Sequence, residues 1–190
     1  MSHDEIEPAI AESIATKQRL LEQCMDELEA FVDAGVHCIQ GGGKILFCGN
    51  GGSSCDAAHA VGELVGWFER KDRGGYPAIA LGHEIPTLTA VSNDIGFELI
   101  FARQVEALGR SGDLLIGITT SGGSANVVRA IEQAKSQGIA TVALVGEAGG
   151  SAADLADVAV KVPSGRTARI QESHLLCIHL LCAAIEKACV

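Results

Sequence analysis

What this sequence lacks narrows it first. No apolar run reaches about 18 residues, the shortest stretch that reads as a membrane span, so no membrane segment is expected. The opening "MSHDEIEPAI" is acidic and has no apolar signal core, which predicts a cytoplasmic protein. The basic excess that a phosphate backbone selects is also missing. Lys and Arg number 14 against 24 Asp and Glu, for a net charge of −10, so no nucleic-acid partner is expected. An anionic ligand must then be held by local donors and not by the overall field. Seven cysteines (Cys24, Cys38, Cys48, Cys55, Cys177, Cys182 and Cys189) show neither CxxC nor zinc-finger spacing. They read as buried thiols in a reducing compartment. There is no long linker, repeat or low-complexity segment. With 190 residues, 47% of them hydrophobic, the chain suits a single domain with a substantial core.

Residues 9–40 carry Ile10, Ile14, Leu20, Leu21, Cys24, Leu28, Phe31, Val32 and Cys38 at helical spacing. The pattern breaks near Asp26, giving two helices, and "GGGK" at 41–44 ends it. This N-terminal helical segment, residues 1–43, needs something to cover: its own sheet or another subunit. Beyond it, strands and helices alternate. Strands are expected at 44–48, 76–81, 113–119, 140–146 and 158–163, and helices at 53–68, 85–92, 97–109, 124–137 and 167–188. Most strands are continuous apolar runs, as when helices cover both sheet faces. The fold class is therefore α/β, a doubly wound five-stranded parallel sheet flanked by helices. "ERKDRGG" (69–75) reads as a surface loop.

Ligands of such sheets sit beyond the carboxyl ends of the strands. Two loops there share a chemistry. One is Gly49-Asn50-Gly51-Gly52-Ser53-Ser54; the other is Thr119-Thr120-Ser121-Gly122-Gly123-Ser124. Glycine lets backbone N–H groups turn toward a ligand, hydroxyls donate to phosphate oxygens, and a helix start adds free N–H groups. A dinucleotide fingerprint would need a third glycine where Ser54 stands, and it would leave the second loop without a role. Neither loop is GxxxxGK[ST], so nucleoside triphosphate hydrolysis is not indicated.

His59 and Glu63 are four apart and share a helix face next to the first loop. In the last helix, "TARIQESHLLCIHLLCAAIEK", Gln171, His174 and His179 interrupt dense apolar positions. Each is either a core residue with a satisfied partner or part of a site. His59, Glu63, Gln171 and His179 would suit zinc or another divalent ion. Gln171 and His179 lie about 12 Å apart along a helix. Either both reach one ion with extended side chains, or they come from different chains. Asn93 and Asp94 are either a turn and cap pair or ligand contacts. Arg166 and Arg169 pair with a phosphate or with Glu172. His37 and His83 read as surface residues.

"CGNGGSSCDAAHAVGEL", "SNDIGFELIFARQVEALGRSGDLLIGITTSGGSANV" and "RIQESHLLCIH" together resemble the phosphoheptose isomerase family, which is built on the sugar-isomerase (SIS) domain. The resemblance runs from Ile10 to the last helix. It implies a homotetramer that converts sedoheptulose 7-phosphate to D-glycero-D-manno-heptose 7-phosphate, the first step toward ADP-heptose and the lipopolysaccharide core. It implies one zinc ion per subunit, at His59, Glu63, Gln171 and His179, with Glu63 and His179 as the acid/base pair. It also implies substrate contacts at Asn50, Gly51, Gly52, Ser53, Glu63, Asn93, Asp94, Thr119, Thr120, Ser121, Ser124 and Gln171. Three positions depart from other members. Gly62 stands where some carry a second acid, Thr119 keeps a hydroxyl where others have serine, and Ala168 stands where some have aspartate. SIS domains also serve as non-enzymatic modules that bind sugar phosphate, and one relative partners a replication-initiator protein. The presence of both Glu63 and His179 favours the enzyme.

Overall fold

The structure is a computed structural model and describes residues 3–189. Two helices, α1 (His3–Gln23) and α2 (Met25–Gln40), precede the first strand, β1 (Ile45–Gly49). Then follow α3 (Gly52–Val65), β2 (Ala78–Ala80), α4 (Ile85–Asp94), a 3-10 turn (Phe97–Leu99) and α5 (Ile100–Leu108). The second half comprises β3 (Leu114–Thr119), α6 (Ala125–Ser136), β4 (Ala140–Gly146), α7 (Gly150–Leu155), β5 (Val158–Val162) and α8 (Thr167–Ala188).

The strand order is β2-β1-β3-β4-β5 and every pair is parallel. The expected doubly wound five-stranded sheet is therefore present. The chain leaves β1 for β2 on one side and returns to β3 on the other. The gap above β1 and β3 is thus the topological switch point, where such sheets bind ligands. Alternate residues of each central strand feed opposite cores. Ile45 and Phe47 of β1 pack with α2, α3 and α8, while Leu46 and Cys48 pack with the α5 and α6 side. Both faces are covered, which is why the strands read as unbroken apolar runs.

The differences from expectation have local causes. The break between the first two helices falls at Cys24, two residues before Asp26. Helix α1 starts at His3 and carries Pro8 inside it, although the apolar spacing begins only at residue 9. Strand β2 is three residues long, because Pro77 offers no N–H and the Tyr76 N–H goes to the Leu64 carbonyl. Helix α3 stops at Val65, three residues early, and Trp67 and Phe68 belong to the following loop. The short α7 has no periodic apolar pattern to announce it. Cys55 is exposed and Cys189 half-buried, while the other five cysteines are buried; all seven are free thiols. Along α1, Leu20 is buried, but Ile6, Ile10, Ile14 and Leu21 are exposed, as is Met25 at the start of α2.

His174 is wholly buried on α8, where its Nε2 bonds the Val145 carbonyl at the end of β4 and its Nδ1 meets no partner. Burial holds the imidazole's pKa down to about 4. The folded state therefore binds fewer protons than the unfolded chain between the ordinary histidine pKa and that value. Stability contributed by neutral His174 is complete above about pH 6.5 and is lost as pH falls toward 4. Urea unfolding at pH 7 and pH 5 is expected to show roughly 1–2 kcal/mol of loss that His174→Gln removes.

Candidate active site

The first loop leaves β1 at Asn50. Its side-chain amide pairs with that of Asn126 on α6, each Nδ2 donating to the other's Oδ1 at 2.8 Å. This double bond pins the two strand-end loops to each other across the switch point. Gly51, at φ +57°, turns the chain into α3, a conformation that costs a side-chain-bearing residue. The Gln171 amide packs against Gly52 so closely that a Cβ there would fall 2.4 Å from its Nε2. In the second loop, Thr119 and Ser124 share a hydroxyl bond at 3.0 Å, and the Gly123 N–H donates to the Ser121 hydroxyl at 3.2 Å. Neither Gly51 nor Ser124, the residues that open α3 and α6, makes a side-chain cap bond. Two uncapped helix starts and a set of hydroxyls thus converge on one place, which suits an anion despite the acidic chain.

The proton-transfer candidates meet beside this cradle. His59 and Glu63 lie on the side of α3 that faces α8, His59 exposed and Glu63 half-buried. His59 Nε2 lies 2.9 Å from His179 Nε2 and 3.5 Å from Glu63 Oε1. The two imidazole rings are tilted with centroids 5.2 Å apart, and the Phe68 ring lies 5.4 Å from that of His179. At 2.9 Å, either one nitrogen donates a proton to the other or both lone pairs turn on one cation. Three of the four predicted ligand residues therefore come together. Gln171 instead sits against Gly52, and no hydrogen bond joins it to the histidines. Among the described residues, no three His, Cys, Asp or Glu groups form a finished metal cluster.

Asn93 and Asp94 end α4, exposed, with the Asn93 Nδ2 donating to Asp94 Oδ1 at 2.6 Å. No hydrogen bond joins them to either loop. Arg166 pairs with Glu12, while Arg169 bonds Glu12, Glu172 and the Ala9 carbonyl at 2.6 Å. The second of the two sequence alternatives thus describes Arg169. His37 and His83 are exposed as expected, but His83 Nε2 also lies 3.1 Å from the Ser54 hydroxyl.

Several residues at the site escaped the sequence. Asn126, on the first turn of α6, is one. Asp56 is another: it lies on α3 one turn before His59, and burial raises its pKa while His59 opposes that shift. Its place three residues before His59 could have revealed it. The loop 69–75 is not merely a surface loop, because the Arg73 side chain is 4% exposed and paired with the equally buried Glu186 at 2.7 Å. A lone glutamate among Leu181, Cys182 and Ile185 was the available signal. Backbone N–H groups of Phe68, Glu69 and Arg70, with Arg73, hold the Glu186 carboxyl down to about 2 against the cost of burial.

A family model described as "SIS domain" matches residues 10–146. A phosphoheptose isomerase of Nitratiruptor sp. is 48% identical over 183 residues, spanning 94% of this chain and 97% of its own. The chain belongs to the phosphoheptose isomerase family. A second member, from Roseiflexus sp., is 48% identical over 97% of this chain and 91% of its own. The solved structure of a phosphoheptose isomerase from Francisella tularensis superposes with a TM-score of 0.94. That chain is 39% identical, with 98% of this chain and 99% of that one covered. This phosphoheptose isomerase family member is an enzyme of the isomerase class. The five-stranded parallel sheet and flanking helices are the family's fold.

Gly122 fixes the second loop. It adopts φ +68°, and a Cβ there would lie 1.7 Å from the Gly149 carbonyl oxygen. Gly122→Ala is expected to destabilise the fold by more than the roughly 1–2 kcal/mol that the backbone conformation alone costs. Comparison of urea midpoints with the unsubstituted protein checks this; an unchanged midpoint would contradict it.

Proposed function

We propose that this isomerase interconverts sedoheptulose 7-phosphate and D-glycero-D-manno-heptose 7-phosphate by proton transfer through an ene-diolate. The observation that carries the reading is the approach of His59, Glu63 and His179 beside two uncapped, hydroxyl-rich loops at the switch point. The names of the relatives support the substrate.

Isomerisation of a 2-ketose needs a base for the C1 proton, an acid for the oxygens, and stabilisation of the charge between. Glu63 is the base. Its Oε1 faces His59, which leaves the other oxygen to take the proton from C1 and return it at C2. His179, braced by the Phe68 ring and by His59, moves the proton between the two oxygens. Ser53, Thr119, Thr120, Ser121 and Ser124, with the N–H groups of Gly51 and Gly52, hold the 7-phosphate. Asn50 sets the first loop, Gln171 borders it, and Asn93 and Asp94 take sugar hydroxyls.

Two facing imidazole nitrogens with a carboxylate beside them are a donor set that zinc accepts. His59, Glu63 and His179 would hold one ion per subunit, and Gln171 would join them as the fourth ligand on leaving its place against Gly52. A bound ion would supply polarisation of the carbonyl and the neighbouring hydroxyl. The apolar stripe Ile6, Ile10, Ile14, Leu21 and Met25 supports assembly as a homotetramer through α1. We read the protein, from its family resemblance, as a cytoplasmic enzyme that feeds ADP-heptose and lipopolysaccharide core synthesis.

Turnover of sedoheptulose 7-phosphate by the purified protein tests the reading. Glu63→Gln is expected to lower kcat by roughly 10²–10⁴-fold. Near-normal turnover in that variant would refute the base assignment. Chelation is expected to abolish turnover and added zinc to restore it; turnover that survives chelation removes the metal but leaves the isomerase.

A further inference from the structure

Helix α3 ends two residues after Glu63, so the proposed base stands in a last turn whose carbonyls lack helical partners. Such turns fray into water. Here the Arg73 guanidinium caps them. Its Nη2 donates to the Glu63 carbonyl at 2.7 Å, and its Nη1 donates to those of Leu64 at 2.9 Å and Gly74 at 2.8 Å. The guanidinium also lies over the Tyr76 ring, 4.4 Å from its centroid.

Arg73 is in turn tied to α8. Its Nε donates to Glu186 Oε1 at 2.7 Å. The same carboxylate accepts three successive backbone N–H groups, from Phe68 at 2.8 Å, Glu69 at 2.9 Å and Arg70 at 3.0 Å. Glu186 follows His179 by seven residues, two helical turns, so both side chains leave α8 on one face. The segment gathered by Glu186 carries Phe68, whose ring lies against His179. One buried cluster thus touches the backbone of Glu63 at one end and the ring beside His179 at the other.

Stability alone does not account for this arrangement. An apolar pair of similar volume commonly serves as well as a buried ion pair or better. What apolar groups cannot supply is a set of directed bonds to three carbonyls and three amides. We propose that Arg73 and Glu186 are positioning residues, which hold Glu63 and His179 at reacting distance by locking the end of α3 to α8. The proposal rests on the reading of Glu63 and His179 as the acid/base pair.

The test is kinetic, on the full chain with sedoheptulose 7-phosphate. Arg73→Lys keeps a cation opposite Glu186 but loses the planar fork that reaches Glu63 and Gly74. Glu186→Gln keeps one oxygen for the amides but loses the charge. Each variant is assayed where circular dichroism and size-exclusion show it folded and assembled like the unsubstituted protein. The expected result is a kcat lowered by roughly 10–100-fold, the cost of a displacement of about an ångström, with KM changed little. A lower melting temperature with unchanged kcat in both variants would overturn the proposal, leaving the pair a purely structural element. If Arg73→Lys does not fold, Glu186→Gln decides. Glu63→Gln, assayed in parallel, separates the two claims. An inactive Glu63→Gln beside a normal Arg73→Lys sinks only the positioning role, whereas an active Glu63→Gln sinks the acid/base reading and the positioning role with it.

Discussion

The packing of α8 on α3 turns this chain from a sheet with glycine loops into a site. Neither helix alone carries all three groups of the proposed site. Helix α3 brings His59 and Glu63, and α8 brings His179, until two ring nitrogens stand 2.9 Å apart. The contact is set by apolar packing further along α8. Cys177, Ile178, Leu181, Cys182 and Ile185 are wholly buried in the core shared by α2, α3 and the sheet. Gly35 of α2 lets Leu181 approach so closely that a Cβ there would fall 2.3 Å from its Cδ1. The hydrophobic face fixes the rotation of α8 about its axis, and that rotation aims His179 at α3.

A second constraint is electrostatic. On the proposed reading, a chain with a net charge of −10 must hold a phosphate without help from its overall field. The solution is local and uses uncharged donors. Backbone N–H groups at two uncapped helix starts, backed by hydroxyls, are brought side by side by the strand order and pinned by the Asn50–Asn126 amide pair. The two arginines that the sequence offered for a phosphate are occupied elsewhere: Arg166 binds Glu12, and Arg169 binds Glu12 and Glu172.

The strands were legible because helices cover both faces, so four of the five stand out as apolar runs of nearly the observed length. Both chemistry-bearing loops were legible because glycine and hydroxyls cluster after β1 and β3, and His59 with Glu63 because helical spacing puts them on one face. What the sequence hid was long-range. Asn126 acquires its meaning from Asn50, 76 residues away. Glu186 acquires its own from Arg73, 113 residues away, and no local pattern pairs a charge in a loop with one in an apolar helix. The early end of α3 follows from that same pairing, since the amides of Phe68, Glu69 and Arg70 bond the carboxylate of Glu186 and do not continue the helix. Helix α7 was invisible for a different reason: six residues, mostly small, leave no periodicity to read.

The central claim is that a carbon-bound proton leaves the sugar and returns to the neighbouring carbon. The most direct measurement is the isotopic content of C2 in the heptose 7-phosphate formed from sedoheptulose 7-phosphate in deuterium oxide, followed by NMR as turnover proceeds. The Glu63 carboxyl that takes the C1 proton is partly open to solvent and exchanges it while the ene-diolate lasts, so proton transfer predicts that deuterium enters C2 in part of the product as it forms. Product formed at the normal rate with C2 hydrogen drawn wholly from C1, and no deuterium, would contradict the account.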